Sequence, residues 1–366
     1  HRLPTIRQIP LWLVAIFILS CARAVASVSD YLIKEGVDLD FALKVLPFIV
    51  PKLRRVIEKL KKTAPHGWNK LEEIRLRADQ PLQVEIGRSV LVTSDGELTT
   101  DPSRGCKVEE EDVARTLQLM GENSLYTLEE ELKEGYLTLP GGHRVGLAGE
   151  CLVAQGHLLR LKRVTSLNIR IARELKGISR EILPFLTKGD RPLRTIIISP
   201  PQAGKTTLLR DIIRCFSNGE QLPVPTKVGL VDERGEVSGC YRGIPQLDVG
   251  IRTDWLSGCP KKEGVFLLLR AMGPQLIATD EIGRPGDLEI IEEILNAGVG
   301  FITTAHAWDT KDFSARPSLK KLWFRGLVER VVVLSRRLGP GTLEGVWDGQ
   351  TKEPLLPQAL RLEVRR

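Results

Sequence analysis

The segment that decides the fold is "IIISPPQAGKTTLLRD", residues 196–211. Its isoleucines form a short, continuously apolar strand, and its leucines belong to a helix that begins near Gly204. Between them, Gly204, Lys205 and Thr206 complete the phosphate-binding pattern G-x-x-x-x-G-K-[ST]. The strand, loop and helix around the pattern favour a working nucleotide site over the alternative, an ordinary strand-to-helix turn with a surface lysine.

The loop departs from this pattern at its first position, where Ser199 replaces a glycine. That glycine serves a turn, and two prolines can fix φ in the turn by another route. We therefore expect a competent loop in which backbone N–H groups, a lysine and a hydroxyl surround the phosphates of ATP. The predicted nucleotide-binding residues are Ser199, Pro200, Pro201, Gln202, Ala203, Gly204, Lys205, Thr206 and Thr207.

Acidic residues follow two further apolar strands. In "LIATDEIG" (276–283), Asp280 is the predicted Mg²⁺ ligand together with Thr206, and Glu281 is predicted to polarise the attacking water. In "VGLVDERGE" (228–236), Glu233 is a second candidate for positioning water, and spacing alone does not rank it against Glu281. The alternative for both pairs is a solvated acid at a strand end.

Two further residue types complete the predicted site. His306 ends the strand of "ITTAHA" and is a candidate γ-phosphate sensor, although a single histidine at a strand end is more often structural. Arg234 and Arg252 follow or flank strand ends and are candidates for stabilising charge in the transition state. For each arginine taken singly, a surface salt bridge is the default interpretation.

The order of elements predicts the fold class. From Leu193 onward, short apolar strands alternate with helices, which is typical of a parallel sheet covered on both faces. Residues 41–180 mix helices with strand meanders and predict a smaller α+β N-terminal domain. The expected domains are an N-terminal extension (1–40), this α+β domain, a P-loop α/β core (181–350) and a basic tail (351–366).

Composition sets limits on the class of protein. The chain has 366 residues, 42% hydrophobic and 27% charged, with a net charge of +7, which is a globular balance. The six cysteines form no C-x-x-C pair, which argues against a zinc site or a disulfide scaffold and favours a reducing compartment. An apolar run at residues 11–19 opposes that view. Three interpretations of this run are open: upstream sequence translated in error, a membrane anchor and a cleaved signal, and the first is favoured.

The motifs, taken in order, resemble those of the secretion ATPases, which drive type II and type IV secretion and pilus machines. Within them, "LEEIRLRADQPLQV", "GGHRVGLAGE", "GCYRGIPQLDVGIRTDWLSGCPKKEG" and "LSRRLGPGT" resemble the stage III sporulation protein AA family, over roughly residues 41–347. The resemblance implies a RecA-like core, a homo-oligomer with hexameric symmetry and a cytoplasmic location beside a membrane-embedded sporulation complex. It also marks Gln202 and Ala203 as a departure, because a glycine-containing pair is usual there, and we expect slower loop closure.

Two alternatives come from other classes of protein. A RecA-like protein that binds single-stranded nucleic acid would fit the basic charge, but such binding usually places aromatic residues among basic ones. Aromatic residues make up only 5% of this chain, and no such cluster occurs, so nucleic acid ranks well below the motor. The other alternative is a scaffold that binds nucleotide without turnover.

Overall fold

The computed structural model describes residues 41–68, 70–121, 132–133, 135–154, 156–220, 224–356 and 360–362. They fall into two compact units. The first comprises His143–Ile171 and the described part of His1–Leu139, and the second comprises Pro140–Gly142 and the described part of Ala172–Arg366. The predicted extension of residues 1–40, with its apolar run, lies outside the described residues. Within the described residues, no helix combines the length and apolar character that a membrane crossing needs.

The first unit is an α+β domain built on an antiparallel sheet. Its strands are β1 (Glu73–Arg77), β2 (Gln80–Pro81), β3 (Gln83–Glu85), β4 (Ser89–Val92), β5 (Leu98–Thr99), β6 (Lys107–Val108), β7 (Tyr136–Leu139), β8 (His143–Ala154) and β9 (His157–Arg170), and its α-helices include α1 (Pro51–Thr63), α2 (Pro65–Trp68) and α3 (Glu110–Met120). The seven-stranded sheet has the order β5-β4-β3-β1-β9-β8-β7, and β2 pairs with β6 separately. Helix α1 buries Leu53, Val56, Ile57 and Leu60 and carries its basic residues on the other face.

The second unit alternates strands and helices as the sequence predicts. Its strands are β10 (Thr187–Lys188), β11 (Arg191–Pro192), β12 (Thr195–Ser199), β13 (Val228–Asp232), β14 (Thr253–Ser257), β15 (Leu276–Ile282), β16 (Gly300–His306), β17 (Arg330–Ser335), β18 (Thr342–Asp348) and β19 (Leu360–Arg361). Its α-helices are α4 (Lys205–Asn218), α5 (Lys261–Ala271), α6 (Asp287–Asn296), α7 (Thr310–Ala315) and α8 (Pro317–Phe324).

The large sheet of this unit has the order β14-β13-β15-β16-β12-β17-β18-β19. Alternate residues of β12 enter two different cores: Ile197 packs in a cluster that includes Leu208 and Leu209 of α4, whereas Ile196 and Ile198 pack in a cluster with α5 and α6. Helices therefore cover both faces, and the second unit is a RecA-like P-loop α/β core. The first six strands in this order, from β14 to β17, are all parallel to one another. The carboxyl ends of β12, β13, β15 and β16 therefore meet at one edge of the sheet.

The structure differs from the expected parallel sheet at the edge formed by β18 and β19. Strands β18 and β19 are antiparallel to their neighbours, so the sheet is mixed rather than wholly parallel. Leu362 is buried in the core beside them, although the sequence suggested a basic tail there.

The compact units also divide after Ile171 rather than after residue 180. The carboxylate of Asp211 on α4 explains why. It accepts hydrogen bonds from Gly177 N at 2.9 Å, Ser179 N at 2.8 Å and Ser179 Oγ at 2.7 Å, and these bonds hold residues 177–179 on the core.

Candidate nucleotide site

The phosphate-loop segment, residues 199–206, runs from the end of β12 into the first turn of α4. Gly204 adopts a left-handed conformation with φ 92° and serves as the N-cap, so the helix begins at Lys205. The first backbone N–H groups of α4 have no intrahelical acceptor, and together with the helix dipole they make this end attractive to an anion. Lys205 is thus at the position that the motif requires. The turn between β17 and β18 supports the segment, since Gly341 N donates to Ala203 O at 3.1 Å.

Lys205 is buried, with only 7% of its surface exposed. Its ammonium lies 3.0 Å from His306 Nδ1, 3.4 Å from Ser199 O and 3.5 Å from Pro200 O. Burial lowers the pKa of Lys205, and the charge of Glu281 opposes that shift. The lysine is therefore folded back onto its own loop and onto the end of β16.

His306 connects the phosphate-loop segment to the acids at the end of β15. Ser199 and His306 are register partners on neighbouring parallel strands, which brings the imidazole to the loop. One ring nitrogen faces Lys205, and the other, Nε2, lies 3.3 Å from Glu281 Oε2. The predicted loop lysine, sensor histidine and catalytic acid thus form one continuous polar chain.

A β-bulge in β15 sets the directions of Asp280 and Glu281. Opposite β16, the register passes from Ala278↔Ile302 to Glu281↔Thr304, so β15 has one extra residue. Thr304 Oγ1 donates to the main-chain oxygen of Asp280 at 2.8 Å, which satisfies a carbonyl at the irregularity. Bulges commonly change the direction of side chains next to active sites. In a regular strand, the consecutive residues Asp280 and Glu281 would point to opposite faces of the sheet.

Asp280 is largely buried, with 8% of its surface exposed. Arg234 N donates to Oδ2 at 3.3 Å, whereas Oδ1 is buried without a hydrogen bond. Burial raises the pKa of Asp280 above its usual value. A buried carboxylate oxygen without a donor is a suitable ligand for a hard cation or its water shell, so this side chain fits Mg²⁺.

Glu233 and Arg234, which follow β13, also reach this edge. Glu233 faces two cations, with Oε2 3.8 Å from Lys261 Nζ and Oε1 3.7 Å from Arg284 NH1. Arg234 NH1 lies 4.0 Å from Glu281 Oε2. The neighbouring Asp232 is different, since its carboxylate accepts hydrogen bonds from the 237–238 backbone and from Ser238 Oγ, and so it stabilises a turn.

Arg252 is placed elsewhere by the fold. It precedes β14, whose first residue pairs with the first residue of β13, so it lies at the amino-terminal edge of the sheet. Its guanidinium donates to Ser217 O at 3.1 Å, near the end of α4. Helix α4 has 14 residues, which separates Arg252 from the phosphate-loop segment by about 20 Å. Within one chain, the structure does not bring this arginine to the other predicted residues.

The acids and basic residues line a cleft of about 280 Å³, whose charged wall includes Glu281, His306, Arg284 and Arg316. Sequence reasoning missed Lys261, which also lines it and begins α5. The only sequence signal was the pair Lys261-Lys262 at the start of a helix, and nothing local distinguishes the two. Arg316 and Asp287 were also missed, because neither belongs to a motif that the sequence analysis identified.

Comparison with solved structures finds an ATPase and a pilus retraction motor. The ATPase DotB of Legionella pneumophila matches at 15% identity and a TM-score of 0.47, with 77% of this chain and 75% of that chain covered. The pilus retraction motor PilT with bound ADP matches at 14% identity and the same TM-score, 0.47, with 82% and 83% covered. At such scores, the fold assignment rests on the strand order and phosphate-loop segment described above.

Comparison by sequence is more specific. A protein of Bacillus subtilis (strain 168) described as "Stage III sporulation protein AA" is 44% identical over 282 residues, which cover 77% of this chain and 88% of the relative. A protein of Cyanidium caldarium described as "Uncharacterized protein ycf45" is 29% identical over 167 residues and covers 44% of this chain. The model of the family "Sporulation stage III, protein AA" matches residues 43–353. The chain therefore belongs to the family of sporulation stage III protein AA.

Proposed function

We propose that this chain hydrolyses ATP in the presence of Mg²⁺ and energises a membrane-embedded sporulation complex. The observation that carries the proposal is the continuous chain Lys205–His306–Glu281, with contacts of 3.0 and 3.3 Å. It joins the segment that would hold the phosphates to the acid that would act on water. A structural turn with a surface lysine would not bury that lysine against the neighbouring strand.

Each residue of the site would have a defined role. Lys205 would exchange His306 for the β- and γ-phosphates, while the N–H groups of the phosphate-loop segment surround the anion. Thr206 and Asp280 would hold the Mg²⁺, which supplies charge neutralisation at the phosphates. The observation that supports this metal role is Oδ1 of Asp280, which is buried and accepts no hydrogen bond, although the Lys261 ammonium lies 3.8 Å from it.

Glu281 is the better candidate for positioning water. Both side chains are partly exposed at the cleft, but the two oxygens of Glu233 each face a cation, whereas the contacts of Glu281 with Arg234 and His306 both use Oε2. In the proposed step, water attacks the γ-phosphorus, the bond to the bridging oxygen of ADP breaks, and Glu281 takes the water proton. Glu233 would orient Arg284 and Lys261, and Arg234 would stabilise charge near the γ-phosphate.

Assembly is part of the proposal. Family membership supports a homo-oligomer, hexameric by analogy with secretion motors, that docks on a membrane-embedded partner complex. Within such an assembly, Arg252 would have a role in hydrolysis only at the site of a neighbouring subunit, because its guanidinium lies about 20 Å from its own phosphate loop. Nucleic acid is not a proposed partner.

Hydrolysis assays on three variants test the function. Lys205→Ala should weaken binding of a fluorescent ATP analogue and lower turnover about 100-fold or more, because it removes a charge aimed at the phosphates. Glu281→Gln should bind the analogue normally and still lose about 100-fold in kcat, because only the chemical step needs its carboxylate. Glu289→Gln, an exposed carboxylate on α6, is the control.

The assays must use assembled protein. Wild-type turnover no higher than that of Glu281→Gln would disprove the ATPase. If the analogue still bound to that wild-type protein, the result would support a nucleotide-binding scaffold without turnover.

A further inference from the structure

Lys261 is a buried cation at the carboxyl edge of the large sheet. It is the first residue of α5, and only 6% of its surface is exposed. Its ammonium lies 3.8 Å from one carboxylate oxygen of each of three residues, Glu233, Asp280 and Asp287. A lysine is rarely buried in this way unless it is paired, and here three acids on three segments surround it.

The same ammonium also donates a hydrogen bond to the main-chain oxygen of Glu281. The ladder between β13 and β15 runs from Val228↔Leu276 to Val231↔Thr279 and includes neither Asp280 nor Glu281. On that side of β15, the backbone beyond Thr279 therefore lacks its usual ladder partner. Lys261 supplies a side-chain donor to Glu281 O, immediately after the bulge.

The adjacent Lys262 shows that this environment belongs to one residue only. Its side chain is 55% exposed, and it pairs with Glu289 on the surface at 3.1 Å. The two lysines are neighbours on one helix and have the same chemistry. They differ in burial and in whether they touch the site.

We propose that Lys261 is the positioning residue of the site, which fixes the backbone at Glu281 and holds Asp280 and Glu233 around a single positive charge. Its effect on turnover rests on the proposed ATPase function. Two kinds of contact carry the inference: the hydrogen bond to Glu281 O constrains the strand after the bulge, and the three ion pairs keep nearby carboxylates from repelling one another. Lys261 itself does not touch the reacting atoms.

The test compares Lys261→Met with Lys261→Arg and Lys262→Met. In Lys261→Met, kcat should fall about 100-fold while KM for ATP stays within about threefold, because a displacement near 1 Å in a catalytic acid can cost that much. Lys261→Arg should recover part of the loss, since it restores the donor and the charge. Lys262→Met should match the wild type.

A second readout does not depend on turnover. Hydrogen exchange of the backbone amides in residues 279–283 should be faster in Lys261→Met than in wild type, with no change in α4. This readout separates the two proposals, since wild-type protein that fails to hydrolyse ATP would disprove the ATPase but leave the exchange comparison valid.

Three results would overturn the positioning role. One is an unchanged kcat in Lys261→Met, and another is unchanged exchange in residues 279–283. The third is a Lys261→Met protein that fails to fold or no longer binds a fluorescent ADP analogue, since the lysine would then support the core as a whole.

Discussion

At the scale of single residues, the phosphate-loop segment contains one strained position. Gln202 has φ 58°, in the left-handed region that glycine adopts without cost. Its side-chain oxygen accepts a weak contact from Arg336 NH1 at 3.4 Å, which only partly offsets this. The absence of glycine from the loop therefore causes more strain at residue 202, whose backbone is left-handed, than at Ser199.

Gln202→Gly and Gln202→Ala test this strain directly. An L-residue in the left-handed region costs about 1–2 kcal/mol, and glycine returns part of that as backbone entropy of the unfolded chain. Gln202→Gly should therefore have a free energy of unfolding about 1 kcal/mol higher than Gln202→Ala, which keeps the strain. Both variants lack the Arg336 contact, so the comparison isolates the backbone effect. Urea denaturation of both variants measures the difference. Equal stabilities would show that the position is not strained.

At the scale of elements, Glu329 joins three strands at the amino-terminal edge of the large sheet. It precedes β17 and accepts bonds from Arg191 NH1 and NH2 at 3.0 and 2.7 Å, and from Arg194 N and Nε at 3.0 Å each. Burial by itself would raise the pKa of Glu329, but the bonds from Arg191 and Arg194 outweigh it and lower the pKa to about 2. This edge is opposite the candidate site, so its role is in stability.

The depressed pKa predicts a pH dependence. A carboxylate whose folded pKa is below the unfolded value of 4.5 contributes stability above that value and loses it as pH falls toward about 2. Glu329→Gln should therefore be less stable than wild type at about pH 7, with a difference that shrinks by about pH 3.

Chemical denaturation at the two pH values checks this prediction. Glu292→Gln, which removes a single-arginine surface pair, is the control and should show little difference at either pH. A wild-type advantage over Glu329→Gln that is equal at both pH values would contradict the assignment.

At the scale of the whole molecule, the predicted site residues lie in two groups, one near each end of α4. Lys205, His306, Glu281, Glu233 and Arg234 meet at the carboxyl edge, whereas Arg252 binds Ser217 O at the other edge. A single copy of the chain thus gathers most of the predicted site residues at one end and leaves Arg252 at the other. An assembly in which one copy's arginine edge meets the next copy's site would unite them.

Mixing experiments test such an assembly. Arg252→Ala and Lys205→Ala should each lose most ATPase activity alone. Mixed in equal amounts, they should recover activity above the sum of the two, because some interfaces then combine an intact phosphate-loop segment with an intact arginine. Lys205→Ala mixed with Glu281→Gln is the control, since it can never form a complete site in this way if both residues act in one chain. Absence of recovery in the first mixture would show that Arg252 does not act across subunits.

The sequence alone determined the parts of this protein that depend on local pattern. The apolar runs and the strand–loop–helix order predict β12, β13, β15, β16 and α4, and a parallel arrangement of those strands brings their carboxyl ends together. That is why Lys205, Glu281 and His306 could be predicted as one site. Each of them lies at or just beyond the carboxyl end of a strand that the sequence marks clearly.

Only the tertiary structure decided which chemically equivalent residues enter the site. The bulge in β15, the burial of Lys261 rather than Lys262, the structural use of Asp232 and the distant position of Arg252 all depend on strand register and on contacts between segments far apart in sequence. The antiparallel strands β18 and β19 are likewise set by pairing that periodicity does not encode. Periodicity marks which residues are buried, but the electrostatic partner of a buried group is chosen by the packing of whole elements.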